Sequence, residues 1–379
     1  MTPTRELKDV ARGWQALERT ICRQGRGIDL QTCDATNRTA PCRLGTRRCD
    51  RLGSLRYGAS WKTVAAGPGL AFLLGFVCSA GAANPPMRLD ANLDRGLLEV
   101  GYKGHKILVY AFATNQFKPY VRELYTLRGE NVTRDAPPDH LHHHGMMYAV
   151  NVNGINFWEE RGAPGVERHI ELPLKVATIG PNGLPMASFT ELIQWLSPTN
   201  QPGSDPLTAA LLSERRTLTV TVDEKNQEVA LRWDSEFQVE PNAGKVTISG
   251  PNYDGLGIRL PESFNHVAKF QNSAGQPYTA KDTHDVTTAR WTSVSGQMNG
   301  RDVMLIMFGR PENARGDTAF YTMLDPFAYL SATQALDKQP LEYAAGDKFS
   351  LSCLFTVYSA NKSPGFISQR CQRWEKERN

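Results

Sequence analysis

Residues 146–160, MMYAVNVNGINFWEE, decide the fold of this chain. Asn153-Gly154 is the residue pair that most readily supplies the positive φ angles of a two-residue type I′ turn, so the stretch predicts a tight antiparallel β-hairpin. The turn sets the register, which places Val152 opposite Ile155 and Met147 opposite Glu160. Because side chains alternate between the faces of a strand, one face of the hairpin is almost wholly apolar and belongs against a core. That face carries Tyr148, Val150, Val152, Ile155 and Phe157.

The chain from Leu97 onward keeps this strand-forming character. Alternating and β-branched segments predict strands at residues 97–100, 106–112, 169–177, 189–195, 211–222, 228–237, 245–249, 289–294, 303–308 and 349–358. Amphipathic helices are scarce, and no internal repeat indicates a propeller or a solenoid. The sequence therefore predicts an all-β chain that forms one large single-domain β-sandwich with few short helices, of the supersandwich type found in galactose mutarotases.

Residues 1–83 differ from the rest of the chain in charge and composition. Lys and Arg outnumber Asp and Glu in the first 62 residues, whereas acidic residues prevail in the remainder of a chain whose net charge is +4. Residues 56–83 combine a basic start, a short apolar run and an Ala-Gly-Ala exit, which predicts a secretory signal peptide. We therefore expect a start site assigned too early, a non-native or disordered basic leader at 1–55, and a mature domain at 84–379 that is periplasmic or extracellular.

The mature part of the chain excludes several classes of protein. It contains Cys353 and Cys371, which could form one disulfide after export. Beyond the signal peptide we expect no membrane span, and the absence of a basic excess or a basic-aromatic stripe argues against a nucleic-acid partner. No P-loop, dinucleotide fingerprint or nucleophile elbow occurs, which disfavours nucleotide cofactors and triad hydrolases.

Four of the eight histidines lie within five residues just before the hairpin: His140, His142, His143 and His144. Imidazole titrates near neutrality, so such a cluster can bind a metal ion or move protons. If the strand continued backward past Gly145, His143 would share the second face of the hairpin with Glu160. His142 and His144 would then point the other way.

The second face of the hairpin suits a sugar. It carries Asn151, Asn156 and Trp158 beside Glu160. An indole can stack on the apolar face of a sugar ring, while amides and carboxylates bind its hydroxyls. The sequence therefore predicts a carbohydrate or oligosaccharide partner for this face.

Eight short motifs, taken together and in order, resemble one bacterial family, the PmoA-like or "methane oxygenase" family. They are KPYV (118–121), NVTR (131–134), DHLHHHG (139–145), VNGINFWE (152–159), GIR (257–259), ARW (289–291), PEN (311–313) and DPF (325–327). The family label names a membrane-embedded copper enzyme, and we regard it as a misnomer for a chain without a membrane span. The resemblance implies an exported β-sandwich protein from polysaccharide-degrading bacteria with a carbohydrate substrate.

Two positions depart from the family pattern. His144 stands where the family usually has arginine, and the segment Tyr253-Asp254-Gly255 stands near a usual Lys-Glu-Gly stretch. The resemblance therefore leads us to expect that an anion contact or a catalytic carboxylate is missing or moved in this chain.

The candidate functions follow from these residues. The first is a carbohydrate-active enzyme, a hydrolase, lyase or epimerase, in which the catalytic acid and base come from His143, His142, Glu160 and His169. The second is a metal-dependent enzyme in which His140 and His142 bind one divalent ion. The third is a noncatalytic carbohydrate-binding protein. The candidate substrate-binding residues are Arg134, Trp158, Asn151, Asn156, Tyr120, Arg259 and Asn313.

Overall fold

Antiparallel β-sheets make up most of the part of the chain that the structure describes. The computed structural model describes residues 86–198, 209–275 and 284–377, all within one unit, Cys78–Asn379. The predicted leader, 1–55, and the predicted signal peptide, 56–83, lie outside the described residues. No helix among the described residues has the length and apolar character needed to cross a membrane.

The described strands form three sheets. The first has nine strands, in the order β1 (Met87–Asn92), β2 (Leu97–Tyr102), β3 (His105–Ala111), β4 (Tyr120–Leu124), β5 (Met146–Ala149), β13 (Gly255–Arg259), β19 (Tyr329–Thr333), β18 (Ala319–Met323) and β15 (His284–Thr288). The second has eight, in the order β14 (Lys269–Asn272), β16 (Trp291–Met298), β17 (Arg301–Gly309), β21 (Lys348–Tyr358), β11 (Glu228–Val239), β10 (Ala209–Asp223), β9 (Pro185–Ser197) and β8 (Val166–Ile179). The third has four, in the order β20 (Leu341–Tyr343), β12 (Val246–Ser249), β6 (Asn151–Val152) and β7 (Ile155–Asn156).

The nine-stranded and eight-stranded sheets share the main hydrophobic core. In β5, Met146 and Tyr148 join this core, while Met147 and Ala149 face the other side of the sheet. In β21, Phe355 joins the core and Leu354 faces away from it. Two sheets that bury facing sets of alternate side chains define a sandwich. The predicted all-β sandwich with few short helices is therefore confirmed.

The predicted hairpin around Asn153-Gly154 is present, but it is shorter than expected. Asn153 and Gly154 have φ angles of 52° and 77°, and Val152 pairs with Ile155 as predicted. β5, however, pairs with β13 on one side and with β4 on the other. The predicted pairing of Met147 with Glu160 is wrong, because β5 pairs instead with β4 and β13 of the nine-stranded sheet, which are longer than β7.

A C-terminal helix, α1 (Pro364–Lys376), was not predicted from the sequence. Ser363 caps its N-terminus by accepting a hydrogen bond from the Phe366 N–H, and Pro364 occupies the first turn, where its missing N–H costs nothing. The helix buries Ile367 and Trp374 against the outer face of the eight-stranded sheet.

The helix explains why Cys353 and Cys371 are not joined. Cys353 lies in the core between the two large sheets, whereas Cys371 lies on the buried side of α1 at the opposite face of the eight-stranded sheet, and both are free. A disulfide needs Cα atoms within about 7 Å and converging side chains. The disulfide considered from the sequence is therefore not formed.

A buried ionic cluster lies between the two large sheets. Arg216 of β10, whose side chain has no exposure, pairs with Glu214 at 2.8 Å and with Glu167 of β8 at 3.1 Å. Its guanidinium also donates to the Pro119 carbonyl oxygen at 2.8 Å and to the Tyr110 hydroxyl at 3.2 Å. Desolvation raises the pKa of Glu167 to about 8, although Arg216 opposes this shift. The cluster fixes the β3–β4 connection to the eight-stranded sheet.

Candidate functional site

A cavity of about 800 Å³ lies on the face of the nine-stranded sheet that points away from the main core. Tyr321 and Tyr329 reach it from β18 and β19, whereas their chain neighbours Phe320 and Leu330 point into the core. The aromatic lining comprises Phe117, Trp158, Tyr253, Tyr321, Phe327 and Tyr329. The polar lining comprises Asp139, His140, His142, His143, Glu159, Glu160 and Arg161. This combination of rings, imidazoles and carboxylates is the strongest candidate site among the described residues.

Two consecutive turns place the histidines at the cavity. The His140 N–H bonds to the Pro137 carbonyl oxygen, and the His143 N–H bonds to the His140 carbonyl oxygen at 3.0 Å. The two turns change the direction of the backbone at the histidines, so these residues do not form a regular strand. The ring of His140 stacks on that of His143 with 4.5 Å between centroids, and His142 meets His143 edge-on at 4.6 Å.

Arg259 holds the innermost histidine. Its side chain is 1% exposed and lies over the Phe327 ring, with its Cζ 3.4 Å from the ring centroid. One Nη donates to Nδ1 of His143 at 3.3 Å, and the other donates to Oδ2 of Asp139 at 2.6 Å. Asp139 also contacts Nδ1 of His140 at 3.0 Å. Burial alone would raise the pKa of Asp139, but hydrogen bonds from His140 and Arg259 outweigh it and bring the pKa to about 2.

His144 occupies a second polar cluster beneath the cavity. Its Nδ1 contacts Asp135 at 3.0 Å, its Nε2 contacts Glu160 at 2.9 Å, and its ring stacks on Tyr120 at 4.3 Å. Glu160 also accepts a hydrogen bond from Lys118, whose side chain is 1% exposed, at 2.7 Å. Burial opposes protonation of His144, but its bonds to Asp135 and Glu160 outweigh burial and raise its pKa.

His143 and Glu160 both line the cavity, as predicted for residues that share a face, but they are not bonded to each other. Glu160 bonds to His144, and His143 bonds to Arg259. The physical reason is the pair of turns, which breaks the strict alternation on which the prediction relied. The site thus separates the histidines into a cavity group, His140, His142 and His143, and a supporting group that contains His144 alone.

The pKa of His143 leads to a prediction about acid stability. Desolvation, with repulsion from His142 and His140, lowers its pKa to about 2. An unfolded histidine has a pKa of about 6.5, so the unfolded chain binds a proton that the folded chain does not, and stability falls as the pH drops below about 6.5. We expect His143→Gln to reduce the loss of unfolding free energy between pH 7.5 and pH 4.5 by about 2 kcal/mol.

Urea denaturation at the two pH values measures this difference. The matched control is His105→Gln, because His105 lies on an exposed position of β3. An equal pH dependence in the wild type and the His143 variant would contradict the prediction.

Gly257 leaves room for the aromatic wall of the cavity. An ideal Cβ at Gly257 would lie 1.8 Å from the hydroxyl oxygen of Tyr329, which donates to the Tyr253 carbonyl oxygen at 3.4 Å. We expect Gly257→Ala to displace Tyr329 and to lower the free energy of unfolding by about 1–3 kcal/mol, as overpacking of a filled site does.

Thermal or chemical denaturation tests this expectation. Gly101→Ala is the matched control in the same sheet, because the nearest atom to its ideal Cβ lies at 3.5 Å. Similar losses in both variants would show that the close approach of Tyr329 is not the cause.

Several predicted substrate-binding residues hold the site together instead of lining it. The Asn156 side-chain oxygen accepts the N–H groups of Trp158 and Glu159 at 2.7 and 2.9 Å, which fixes both residues. Tyr120 supports His144 and donates to Asp135 at 3.2 Å.

Arg134 pairs with Glu262 at 3.0 Å, beside the Arg259 backbone. Asn151 faces Asn156 in the third sheet, and its Oδ1 is buried without a described partner. Of the seven predicted substrate-binding residues, only Trp158 lines the cavity directly.

Two predicted site residues lie elsewhere. His169 contacts Glu191 at 2.7 Å and the Phe112 ring, so it belongs with the buried polar cluster around Arg216. Asn313 exchanges hydrogen bonds of 2.9 and 2.8 Å with the backbone of Ser352 in β21. Neither is among the described residues that line the cavity.

The prediction also missed residues that the structure brings to the site. Tyr321 and Tyr329 lie on short strands that were not predicted, and their alternation with apolar residues is the signal that could have found them. Lys118 and Phe327 lie in the motifs KPYV and DPF, which supported the family resemblance but were not used to predict site residues.

Asp254 is a further missed residue. It is 1% exposed, both carboxylate oxygens are without a described partner, and burial together with the nearby Glu159 charge raises its pKa to about 8.

The side chains at the cavity do not form a metal site. Among the described residues, no group of three or more His, Cys, Asp or Glu side chains is arranged to hold a metal ion. His140 and His142 have ring centroids 5.7 Å apart, and Nδ1 of His140 is bonded to Asp139. A protein zinc site usually needs at least three such ligands. The donor set present therefore does not fit the divalent ion considered from the sequence.

The fold and the cavity define a β-sandwich protein with a histidine-rich, aromatic-lined site. The chain belongs to a family of unknown function, DUF6807, which matches residues 97–371. No curated protein matches it.

Similar solved structures include the galactosidase domain of the α-galactosidase-sucrose kinase AgaSK, with a TM-score of 0.42 and 10% identity over 72% of this chain and 42% of that one. They also include the GH36 α-galactosidase AgaB from Geobacillus stearothermophilus, with a TM-score of 0.43 and 8% identity over 73% of this chain and 41% of that one. The α-galactosidase from Lactobacillus brevis has a TM-score of 0.41 and 7% identity over 73% of this chain and 40% of that one. The chain thus spans less than half the length of these proteins.

Proposed function

We propose that the protein is an exported carbohydrate-active enzyme that acts on a glycoside or uronide by histidine and carboxylate acid–base chemistry, as a hydrolase, lyase or epimerase. The proposal includes its kinship with the exported PmoA-like proteins. The observation that carries it is the cavity, in which a wall of aromatic rings faces three imidazoles and several carboxylates.

The aromatic wall suits a sugar better than a flat apolar ligand. Trp158 meets Tyr253 at 5.5 Å and Tyr329 at 6.0 Å, both edge-on, so ring faces and ring edges alternate around the cavity. Sugar rings stack on such faces, and their hydroxyls find an acceptor at Glu159 on the rim.

The polar residues favour imidazole chemistry over a pair of carboxylates. Glycosidases usually use two carboxylates that face the scissile bond. Here Glu160 is held by Lys118 and His144, Asp139 by Arg259, and Glu159 by Arg161. His140, His142 and His143 remain as the groups that can exchange protons with a bound molecule.

A uronide is the less favoured substrate, because the arginines that could bind its carboxylate already have partners. Arg259 is bonded to Asp139 and His143, and Arg134 is paired with Glu262. Arg161 is the arginine among the described cavity residues, and Glu159 already neutralises it. A neutral sugar has no carboxylate that needs an unpaired arginine, so it fits the cavity better than a uronide.

Binding and turnover by the full chain test the proposal. The protein is screened against neutral glycosides, uronides and oxidised sugars by calorimetry and by product analysis. Trp158→Leu is expected to weaken binding about tenfold, which corresponds to about 1.4 kcal/mol of lost stacking.

Trp291→Leu is the matched control, because Trp291 is 4% exposed, as against 3% for Trp158, and packs in the cluster under α1. Binding without turnover would assign the protein to noncatalytic carbohydrate-binding proteins. Failure to bind any sugar would reject the proposal.

A further inference from the structure

The cavity histidines differ in which ring nitrogen carries the proton. A guanidinium can only donate hydrogen bonds, so Nδ1 of His143, 3.3 Å from Arg259, must accept. A neutral imidazole that accepts at Nδ1 carries its proton on Nε2. Neutral His143 therefore offers the cavity a donor, Nε2–H, and no basic nitrogen.

His140 has the opposite arrangement. Its Nδ1 lies 3.0 Å from the Asp139 carboxylate, which is ionised at neutral pH and can only accept. Neutral His140 therefore carries its proton on Nδ1 and keeps a lone pair on Nε2. Its side chain is 36% exposed at the cavity, and no described residue bonds to this nitrogen.

The Asp139 carboxylate and the Arg259 guanidinium thus set the tautomers of both rings. Asp139 contacts His140 and Arg259, Arg259 contacts His143, and the two rings stack at 4.5 Å with 23° between their planes. Two stacked rings, one with a lone pair on Nε2 and the other with an Nε2–H donor, thus both belong to residues that line the cavity. The two neutral rings hold these tautomers without any further proton transfer.

We infer that His140 is a catalytic base, that His143 is a neutral hydrogen-bond donor to the reacting oxygen, and that the substrate is a sugar with a carbonyl group. This inference deepens the proposed function and rests on it. Asp139 and Arg259 are positioning residues, because they act through the two rings.

The step that this pair can perform is proton abstraction next to the carbonyl. Nε2 of His140 takes the proton from the adjacent carbon, and the electrons of the C–H bond form the carbon–carbon double bond of an enolate. The carbonyl electrons move to oxygen, where Nε2–H of His143 stabilises the developing charge. Return of the proton from His140 restores the carbonyl, so the step needs no oxidant, reductant or further reactant.

The tautomers can be measured without a substrate. Protein labelled with ¹⁵N at histidine gives long-range ¹H–¹⁵N correlations, and single His→Gln variants assign the rings. At neutral pH we expect His143 to be protonated at Nε2 alone and any neutral His140 to be protonated at Nδ1. A proton on Nδ1 of His143 would overturn the assignment. In Asp139→Asn, the signal of His140 is expected to show both tautomers, whereas His143 is expected to stay unchanged.

Hydrogen exchange tests the chemistry. D-Galactose, D-fructose and D-glucuronate are incubated with the full chain in D₂O, and deuterium at the carbon next to the carbonyl is followed by NMR. We expect exchange in at least one sugar, a loss of about 100-fold or more in His140→Gln and His143→Gln, and no change in His105→Gln. In Asp139→Asn we expect the rate to fall while the sugar affinity is kept.

The outcomes separate this inference from the proposed function. Exchange that survives in His140→Gln would overturn the role of His140, and a loss confined to His142→Gln would assign the base to His142. Absence of exchange in all three sugars would overturn the carbonyl-sugar class. Turnover of a glycoside without any exchange would leave the proposed function in place and reject this inference.

Discussion

Replacement of Arg216 by methionine is expected to lower the free energy of unfolding by about 3–5 kcal/mol, the usual cost of removing one partner from a buried ion pair. Arg216 is the hub of the polar cluster between the two large sheets and has no exposed side-chain area. Its loss leaves Glu214 and Glu167 buried without their cation, and it frees the Pro119 carbonyl oxygen and the Tyr110 hydroxyl.

Chemical denaturation of the full chain measures this loss. The matched control is Arg215→Met, because Arg215 is the next residue of β10 and is only half-buried. A surface-type substitution of this kind is expected to stay within about 0.5 kcal/mol of the wild type. Equal losses in the two variants would mean that the buried ion pairs do not account for the effect.

Replacement of Glu160 by glutamine is the second large expected effect. Glu160 is the carboxylate partner of both Lys118 and His144, and Lys118 has only 1% of its side chain exposed. Glutamine leaves the buried Lys118 ammonium without its carboxylate counter-charge, so we expect the free energy of unfolding to fall by about 3 kcal/mol.

The pKa of His144 is expected to fall in this variant, because a neutral amide replaces the Glu160 carboxylate that helps to raise it.

A double variant separates a supporting role for Glu160 from a catalytic one. Glu160→Gln combined with Lys118→Met removes the unpaired cation, so most of the lost stability is expected to return. A supporting Glu160 predicts that activity returns with stability. Activity that stays lost in a stable double variant would restore Glu160 to the catalytic group in which the sequence placed it.

The fold could be predicted largely from alternation. All ten segments predicted as strands overlap strands of the structure, because each carries β-branched or alternating residues. The strands β4, β13, β18 and β19 were missed; β13, β18 and β19 are buried on both faces, so few polar side chains mark their alternation. These four lie next to one another or to β5 in the nine-stranded sheet, and β18 and β19 supply Tyr321, Met323 and Tyr329 to the cavity.

The site could be located from the sequence, but its chemistry could not. Three of the four histidines beside the hairpin line the candidate cavity. The roles of His143 and His144 depended on Arg259 and Glu160, which lie 116 and 16 residues from them along the chain and meet them only in the folded protein. Sequence spacing carries no information about such partners.

The sequence by itself determined the sandwich architecture, the turn at Asn153-Gly154 and the cluster of imidazoles, because each depends on residues near one another in the chain. The tertiary structure alone decided that Glu160 meets His144, that Arg259 meets His143, and that Cys353 and Cys371 lie on opposite faces of a sheet. These contacts join residues from different strands and loops. Hydrogen bonds and ion pairs act over a few ångströms, so only the packing of the sheets selects which groups come within reach.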